Sequence, residues 1–561
     1  MNKKTLIFFI LFFIIIVISA YLNYTGIHWS LPNDSHYYSY HPDEGINIGG
    51  AIRIFGGAKE PGFYNYSSLY FYLVAYALSF ASSFGILNLG ETLTADNLRT
   101  IYLCGRMTSV IFSVLTVALV MLTGFRLKQK KIGLAAGLFC ATCPIFVMHS
   151  KFIAVDVTCG FFVALAVFIA TFINFQKERI SPFSKEERKN FLLPLILSCV
   201  ASGLAAGTKY NGLLIIIVPL CIVIFCLIKK QISVKDFILL LITGGFCTLL
   251  TFLITTPGVF LNTQQFIKDF TYELHHVKTG HGDEFLNTGV GLIYTFKENM
   301  RFGCGIIFSI FAIISMILGV FSKNKFIQSL SIFTLIYYIS ISTGQVRFAR
   351  YLIPVLPAFS ILIAFCIFNY ISHKKHIILE FVGIFLCLLI FIPNLVNSTV
   401  IDKCMTIREM RDATIVLVTL ENKAIGLPTV PWFYSPPWTK ETSVMRQKRY
   451  EYAMACKEYN LKCQPEEENE WNVEYLKQEK PEYVIISSIE SFHKERTKNP
   501  KYLAYMEYLN KDYEIASHLM NVYISEHLPI LYNPNPNHYL PSDMTYIQPK
   551  YTIYHIKEEK P

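Results

Sequence analysis

The chain has 561 residues, 53% of them hydrophobic and only 16% charged, with a mean hydropathy of +0.40. Soluble domains carry about 25% charge, so this chain cannot cover a globule of its size; a disordered chain and a single large soluble domain are both excluded. The net charge of +10 does not mark a nucleic-acid binder, because it sits mostly in short basic loops between apolar runs, the pattern of membrane topology.

In chain order, Met1-Asn2-Lys3-Lys4 precedes an apolar run from Thr5 to about Leu22. It is long for a signal peptide and no small-residue cleavage site follows, so it is expected to be an uncleaved first spanning helix with the lysines inside. A crossing takes roughly 20 residues. Further spans are expected at about 98–125, 132–148, 158–175, 191–208, 211–228, 236–255, 303–321, 326–342, 351–370 and 377–396, about eleven in all. Counted off, the basic loops at 126–131, 176–190, 229–230, 323–325 and 373–376 all fall on the side of Lys3 and Lys4. The apolar segment 69–87 would invert every later loop if it crossed, and is expected to be a juxtamembrane or re-entrant helix on the outer side. Beyond 396 the composition changes abruptly. Residues 397–561 are expected to form an outer soluble α/β domain, with a buried strand at Tyr483–Ser487, a helix around Tyr502–Leu509 and an aromatic, proline-rich loop at 431–438. Eleven of the 14 cysteines lie in apolar runs and read as small apolar fillers. Cys456 and Cys463 are near enough in sequence to pair in an oxidising compartment.

The polar residues that stand out gather on the outer side, in loops 23–97, 149–157 and 256–301 and at the turn near 344–350. In Tyr40-His41-Pro42-Asp43-Glu44-Gly45, Pro42 suits the first helical position, with Asp43 and Glu44 in the first turn. The pair is therefore either a well-made helix start or two carboxylates, one accepting a proton from an incoming hydroxyl or amine and the other positioning it or helping to hold a metal. Asp156, at the mouth of a span, is either a snorkelling end residue or a second carboxylate of the same cavity. Lys209-Tyr210, in GLAAGTKYNG, puts a lysine on an otherwise uncharged outer turn, as a phosphate partner would be placed, while the small residues before it suit close helix packing. ELHHVKTGHGDE clusters His275, His276, His281, Asp283 and Glu284 without the spacing of a closed zinc site, leaving a divalent metal or a polar loop touching phosphate. Arg347, Arg350 and Tyr351 lie in QVRFARYLIPVLP. An i, i+3 spacing would put both arginines on one helical face, to bind phosphate or to anchor lipid headgroups. Arg106 lies about two turns into a span, where a charge is costly unless paired; an acid of the first loop would answer that cost.

HPDE after the first span, Tyr66-Ser67-Ser68-Leu69-Tyr70, Asp156 before a span, GTKYNG, TGHGDE and RFARYLIPVLP occur in an order that resembles a bacterial GT-C glycosyltransferase of the family 39 kind. Its relatives are the protein O-mannosyltransferases and the lipid A aminoarabinose transferase. The resemblance spans about 35–360, and the remainder only by layout. The chain departs from the usual Pro-Pro-Leu or Tyr-Pro-Pro at Ser67-Ser68-Leu69. The resemblance implies a GT-C transmembrane catalytic domain (1–396) and an extracytoplasmic domain (397–561) in a multi-pass inner-membrane protein with a cytoplasmic N-terminus. It implies inverting transfer of a sugar from a polyprenyl-phosphate donor to a protein, lipid or polysaccharide acceptor, with no nucleotide cofactor. By the same resemblance Asp43 is the general base with Glu44 beside it, and Asp156 lines the cavity. Lys209, His281, Arg347 and Arg350, with Tyr210 and Tyr351, serve substrate and lipid phosphate. The competing classes are a lipid-linked-sugar flippase, which broken helices in matching repeats would support, and a non-catalytic glycan-binding membrane protein.

Overall fold

The computed structural model describes residues 3–33, 36, 38–87, 94–127, 129–173, 188–371, 377–419, 423–438, 460–463, 469–519 and 540–558. The basic stretches 176–187 and 373–376, and Cys456 with its expected pairing, lie outside them.

Among the described residues, eight helices are long and apolar enough to cross a membrane: Leu6–Tyr24, Ala95–Arg126, Asn190–Thr208, Tyr210–Ile228, Val234–Thr255, Lys325–Thr343, Ala349–Ile371 and Ile377–Val416. The chain is thus a polytopic helical membrane protein, as expected, with eight of the expected spans reaching full length. The other three are shorter for visible reasons. The segment expected at 132–148 breaks into Lys130–Ala141 and Pro144–His149, because Pro144 lacks an N–H and takes the first position of a new helix. Val155–Ala170 has 16 residues. Ile306–Val320 has 15 and is cut from Arg301–Cys304 by Gly305 at φ +83°, where a Cβ would lie 2.3 Å from Asn394 Oδ1. The 69–87 segment forms Leu69–Ser83, also 15 residues, packed between Glu44–Phe55 and Ala95–Arg126.

Ala349–Ile371 is the most buried of the eight. It packs against Lys130–Ala141 and Ile306–Val320, and its first turn lies on Val155–Ala170. That helix in turn packs on Leu193–Thr208. These contacts bring the start of 349–371, the start of 155–170 and the end of 193–208 to one place at one end of the bundle. Close packing relies on bare backbone: a Cβ on Gly124 would sit 2.4 Å from Gly133 Cα, so the Ala95–Arg126 and Lys130–Ala141 helices touch main chain to main chain.

One continuous helix, Ile377–Thr419, has 43 residues and runs past position 396. At 1.5 Å per residue it is about 65 Å long, roughly twice the hydrocarbon thickness, so it leads from the bundle into the C-terminal region. There the strands β1 (Ile425–Gly426), β2 (Leu461–Lys462), β3 (Tyr483–Ser487), β4 (Tyr513–Leu519) and β5 (Tyr551–Ile556) form one sheet in the order β2-β1-β3-β5-β4. β1 pairs parallel with β2 and β3, while β5 runs antiparallel to both β3 and β4. The expected strand at 483–487 is β3, and the expected helix lies within Pro500–Asp512.

The first loop is riveted to the bundle by a buried ion pair. Arg106 Nε and Nη2 donate to the two Glu44 oxygens at 2.8 and 2.6 Å, and both side chains are fully buried. Arg106 Nη1 donates to the carbonyls of Ile27 and Trp29, at 2.8 and 2.6 Å. Glu44 Oε1 also accepts the Ile153 N–H at 2.8 Å. The acid expected to pair with Arg106 is therefore Glu44. Burial opposes its charge, but Arg106 outweighs it and holds the Glu44 carboxyl below the usual range. Breaking such a pair leaves an uncompensated buried guanidinium and costs about 3–5 kcal/mol. We expect Glu44→Gln to lower the thermal midpoint of the detergent-purified protein sharply, and Glu44→Gln/Arg106→Met to recover most of the loss. Gly133→Val, which inserts side-chain atoms between two backbones, is expected to cost about 1–3 kcal/mol in the same melt.

Candidate active site

Asp43 is the N-cap of Glu44–Phe55, so the helix starts two residues later than Pro42, and the Asp43 side chain makes no capping bond. It is turned to Arg350 instead, with Nη2 3.2 Å from Oδ2, and keeps 24% of its side-chain surface exposed. Behind it, His41 Nδ1 accepts the Asp43 N–H at 3.3 Å. Burial pushes the Asp43 carboxyl up, but Arg350, His41, Lys209 and His281 together bring it below its ordinary value. Asp43 is a partly accessible carboxyl whose surroundings favour its ionised form, whereas Glu44 has both oxygens occupied in the buried pair. The two neighbours differ because consecutive residues at a helix start point in different directions.

Arg350 lies in the 3-10 turn Ala349–Val355 that opens the central helix. Its guanidinium stacks on Phe348 with Cζ 4.1 Å from the ring centroid. Among the described residues its Nη1 is buried without a hydrogen-bond partner, an energetically costly state for a charged donor. Arg347 does not share a helical face with it, contrary to the i, i+3 expectation, because 345–348 are not helical and the helix starts at Ala349. Arg347 donates from Nε to the Gly344 carbonyl at 3.0 Å, and from Nη1 to Thr288 Oγ1 and the Gly289 carbonyl, each at 2.9 Å. It pins the 256–301 loop at Thr288 and Gly289.

Asp156, in the first turn of Val155–Ala170, meets Lys209 at the end of Leu193–Thr208, 2.6 Å apart and nearly buried. Lys209 Nζ lies 4.5 Å from the Tyr351 ring centroid and 5.7 Å from that of Tyr66. Burial first, then the Asp43 carboxylate, pushes the Tyr66 phenol well above its usual range, with Arg350, Tyr351 and Asp156 also acting on it. Tyr66 and Tyr351 thus lie close to both ion pairs. Tyr210 is directed elsewhere: its hydroxyl donates to the Tyr64 carbonyl at 2.7 Å and its ring abuts Phe270. His281 is half exposed on the outer loop, with Nδ1 3.3 Å from His276 Nε2 and Nε2 3.5 Å from Glu284 Oε2. Burial pushes Glu284 up to about 7. Among the described residues, no three His, Cys, Asp or Glu side chains are arranged to hold a metal ion.

The C-terminal region also reaches this place. Asp543 Oδ1 and Oδ2 accept the N–H groups of Ala349 and Arg350 at 3.1 and 2.8 Å. The Tyr546 ring meets His41 edge-on, centroids 5.3 Å apart, and Phe433 of the aromatic loop packs on Tyr546. Arg496 donates to the carbonyls of Asp283, Glu284 and Leu286 in the outer loop. Sequence reasoning gave no signal for Asp543 or Tyr546, which lie more than 190 residues from Arg350 and in no recognisable motif.

Residues 63–272 match the family model described as "Dolichyl-phosphate-mannose-protein mannosyltransferase". No curated protein sequence matches the chain. Among solved structures, ArnT from Cupriavidus metallidurans bound to undecaprenyl phosphate superposes with a TM-score of 0.50 at 12% identity, over 92% of this chain and 97% of that one. The archaeal oligosaccharyltransferase AglB from Archaeoglobus fulgidus, in complex with an inhibitory peptide and a dolichol-phosphate, gives 0.50 at 12% identity, over 90% and 71%. The apo form of the Archaeoglobus fulgidus enzyme gives 0.51 at 12% identity, over 89% and 71%. The matched family and these neighbours are glycosyltransferases, and the chain has the GT-C fold with a family-39-type match across its residues 63–272.

Proposed function

We propose that this protein is an integral-membrane glycosyltransferase that takes a sugar from a polyprenyl-phosphate donor and passes it, with inversion, to an acceptor hydroxyl or amine on the outer face of the membrane. The observation that carries this reading is the pairing of an accessible, ionised Asp43 with an Arg350 whose Nη1 is buried and unpartnered. Asp43 takes the proton of the acceptor as its oxygen or nitrogen attacks the anomeric carbon. The bond between that carbon and the phosphate oxygen breaks, and the carrier leaves as a phosphate monoester dianion. Arg350 and Lys209 face this developing charge, and stabilise it most where it is greatest, in the transition state. Glu44 and Arg347 serve the frame: one holds the loop that carries Asp43, the other the outer loop. The lipid phosphates named with the structural neighbours fit the donor class. In this reading the N-terminus is cytoplasmic, the bundle 1–396 houses the reaction and 397–561 lies outside.

The test is sugar transfer from radiolabelled polyprenyl-phosphate sugars in membranes carrying the wild type or Asp43→Asn. Transfer is expected to fall by at least about 100-fold while the variant still inserts; a wild-type rate would remove Asp43 from the chemistry. Arg350→Lys keeps charge but loses the planar fork, and is expected to lower kcat more than it raises KM. The pH profile checks the same pair. Because the folded Asp43 carboxyl lies below its ordinary range, the base stays ionised in mild acid, and the acid limb of kcat/KM is expected below about pH 4. Arg350→Met removes the main stabilising charge and should move that limb upward.

A further inference from the structure

The first N–H groups of any helix lack partners within it. At the helix that opens with Ala349 and Arg350, both are taken by one carboxylate from the far end of the chain. Asp543 is fully buried and sits in the short 3-10 turn Ser542–Ile547. Its Oδ2 also lies 3.9 Å from His149 Nε2. Burying a carboxylate is costly, and burial does push Asp543 above its usual range; the two N–H groups and the Arg350 charge offset that cost. The turn itself is anchored on both sides. Tyr546 packs on His41, one residue before Pro42-Asp43, and its carbonyl accepts from the buried Arg408 of the long helix.

We propose that Asp543 is a positioning residue. By holding the backbone of Ala349 and Arg350 it aims the Arg350 guanidinium at Asp43 and leaves the buried Nη1 without a partner among the described residues, a donor for a phosphate oxygen to take up, so that the C-terminal region completes the phosphate end of the site. This rests on the reading of Arg350 as a phosphate ligand.

The experiment measures binding of undecaprenyl phosphate to the purified full chain, for the wild type, Asp543→Asn, Arg350→Ala and the double variant. Asparagine has one acceptor oxygen and no charge, so Asp543→Asn is expected to weaken binding by roughly tenfold, the scale of a lost charge-assisted hydrogen bond. In the Arg350→Ala background its further effect should be under about twofold, because residues acting through one another are not additive. A merely structural role predicts losses that multiply. Multiplying losses, or wild-type affinity in Asp543→Asn, overturn the proposal. If Asp543→Asn fails to give a cooperative melt, amide exchange in the wild type decides: added undecaprenyl phosphate should slow exchange at 349–350 and across 540–547, and unchanged exchange overturns it. A wild type that binds no undecaprenyl phosphate overturns the phosphate reading and this one together, whereas binding without coupling overturns this one alone.

Discussion

The pairing of Glu44 with Arg106 is the contact on which this end of the helical bundle depends. A guanidinium two to three turns into an apolar helix needs a counter-charge, and Glu44 supplies it with both oxygens while also taking the Ile153 N–H. Three segments distant in sequence, near 27–29, 44 and 153, are thereby fixed to one ion pair, the first two through Arg106 and the third through Glu44. Asp43 inherits its position from that arrangement. It is left partly accessible because its neighbour has taken the structural pairing.

The site then follows a single electrostatic plan. Two acids and two cations form two pairs, Asp43 with Arg350 and Asp156 with Lys209, with the rings of Tyr66 and Tyr351 beside Lys209. Neither cation is neutralised to the point of inertness: Arg350 keeps a donor without a partner, and Lys209 lies over aromatic faces that favour a cation without satisfying its hydrogen bonds. In the proposed reaction, the donor phosphate, a monoanion that becomes a dianion as the carrier leaves, would meet charges already oriented, so that little reorganisation would be needed.

Much of this was legible in the sequence, and the reasons for the rest are physical. Apolar runs and basic loops fix most helices, because hydropathy and loop charge act locally. They do not show how Pro144 or Gly305 shorten a span, since that depends on where the chain turns inside the bundle. The residue types at 43, 44, 156, 209 and 350 were visible because charge at the mouth of a span is conspicuous. The division of labour between Asp43 and Glu44 was not, because it is set by the direction of each side chain. Arg347 and Arg350 looked equivalent until the helix start at Ala349 separated them. Asp543 was invisible, since nothing local distinguishes it from any other loop aspartate.

The length of Ile377–Thr419 has a mechanical consequence. A helix of about 65 Å that carries Pro393 in its interior turns small tilts at its membrane end into larger displacements at its tip to the extent that it bends little at that proline; as a straight rod, 5° of tilt would move the far end by roughly 6 Å. The Ser542–Ile547 turn is held to the bundle at Ala349 and Arg350, and to the rod itself at Arg408. The rod and the site are therefore mechanically geared. A bilayer whose thickness or curvature changes the tilt of this helix would load the Asp543 contact directly, making the geometry around Arg350 sensitive to the lipid in which the protein sits.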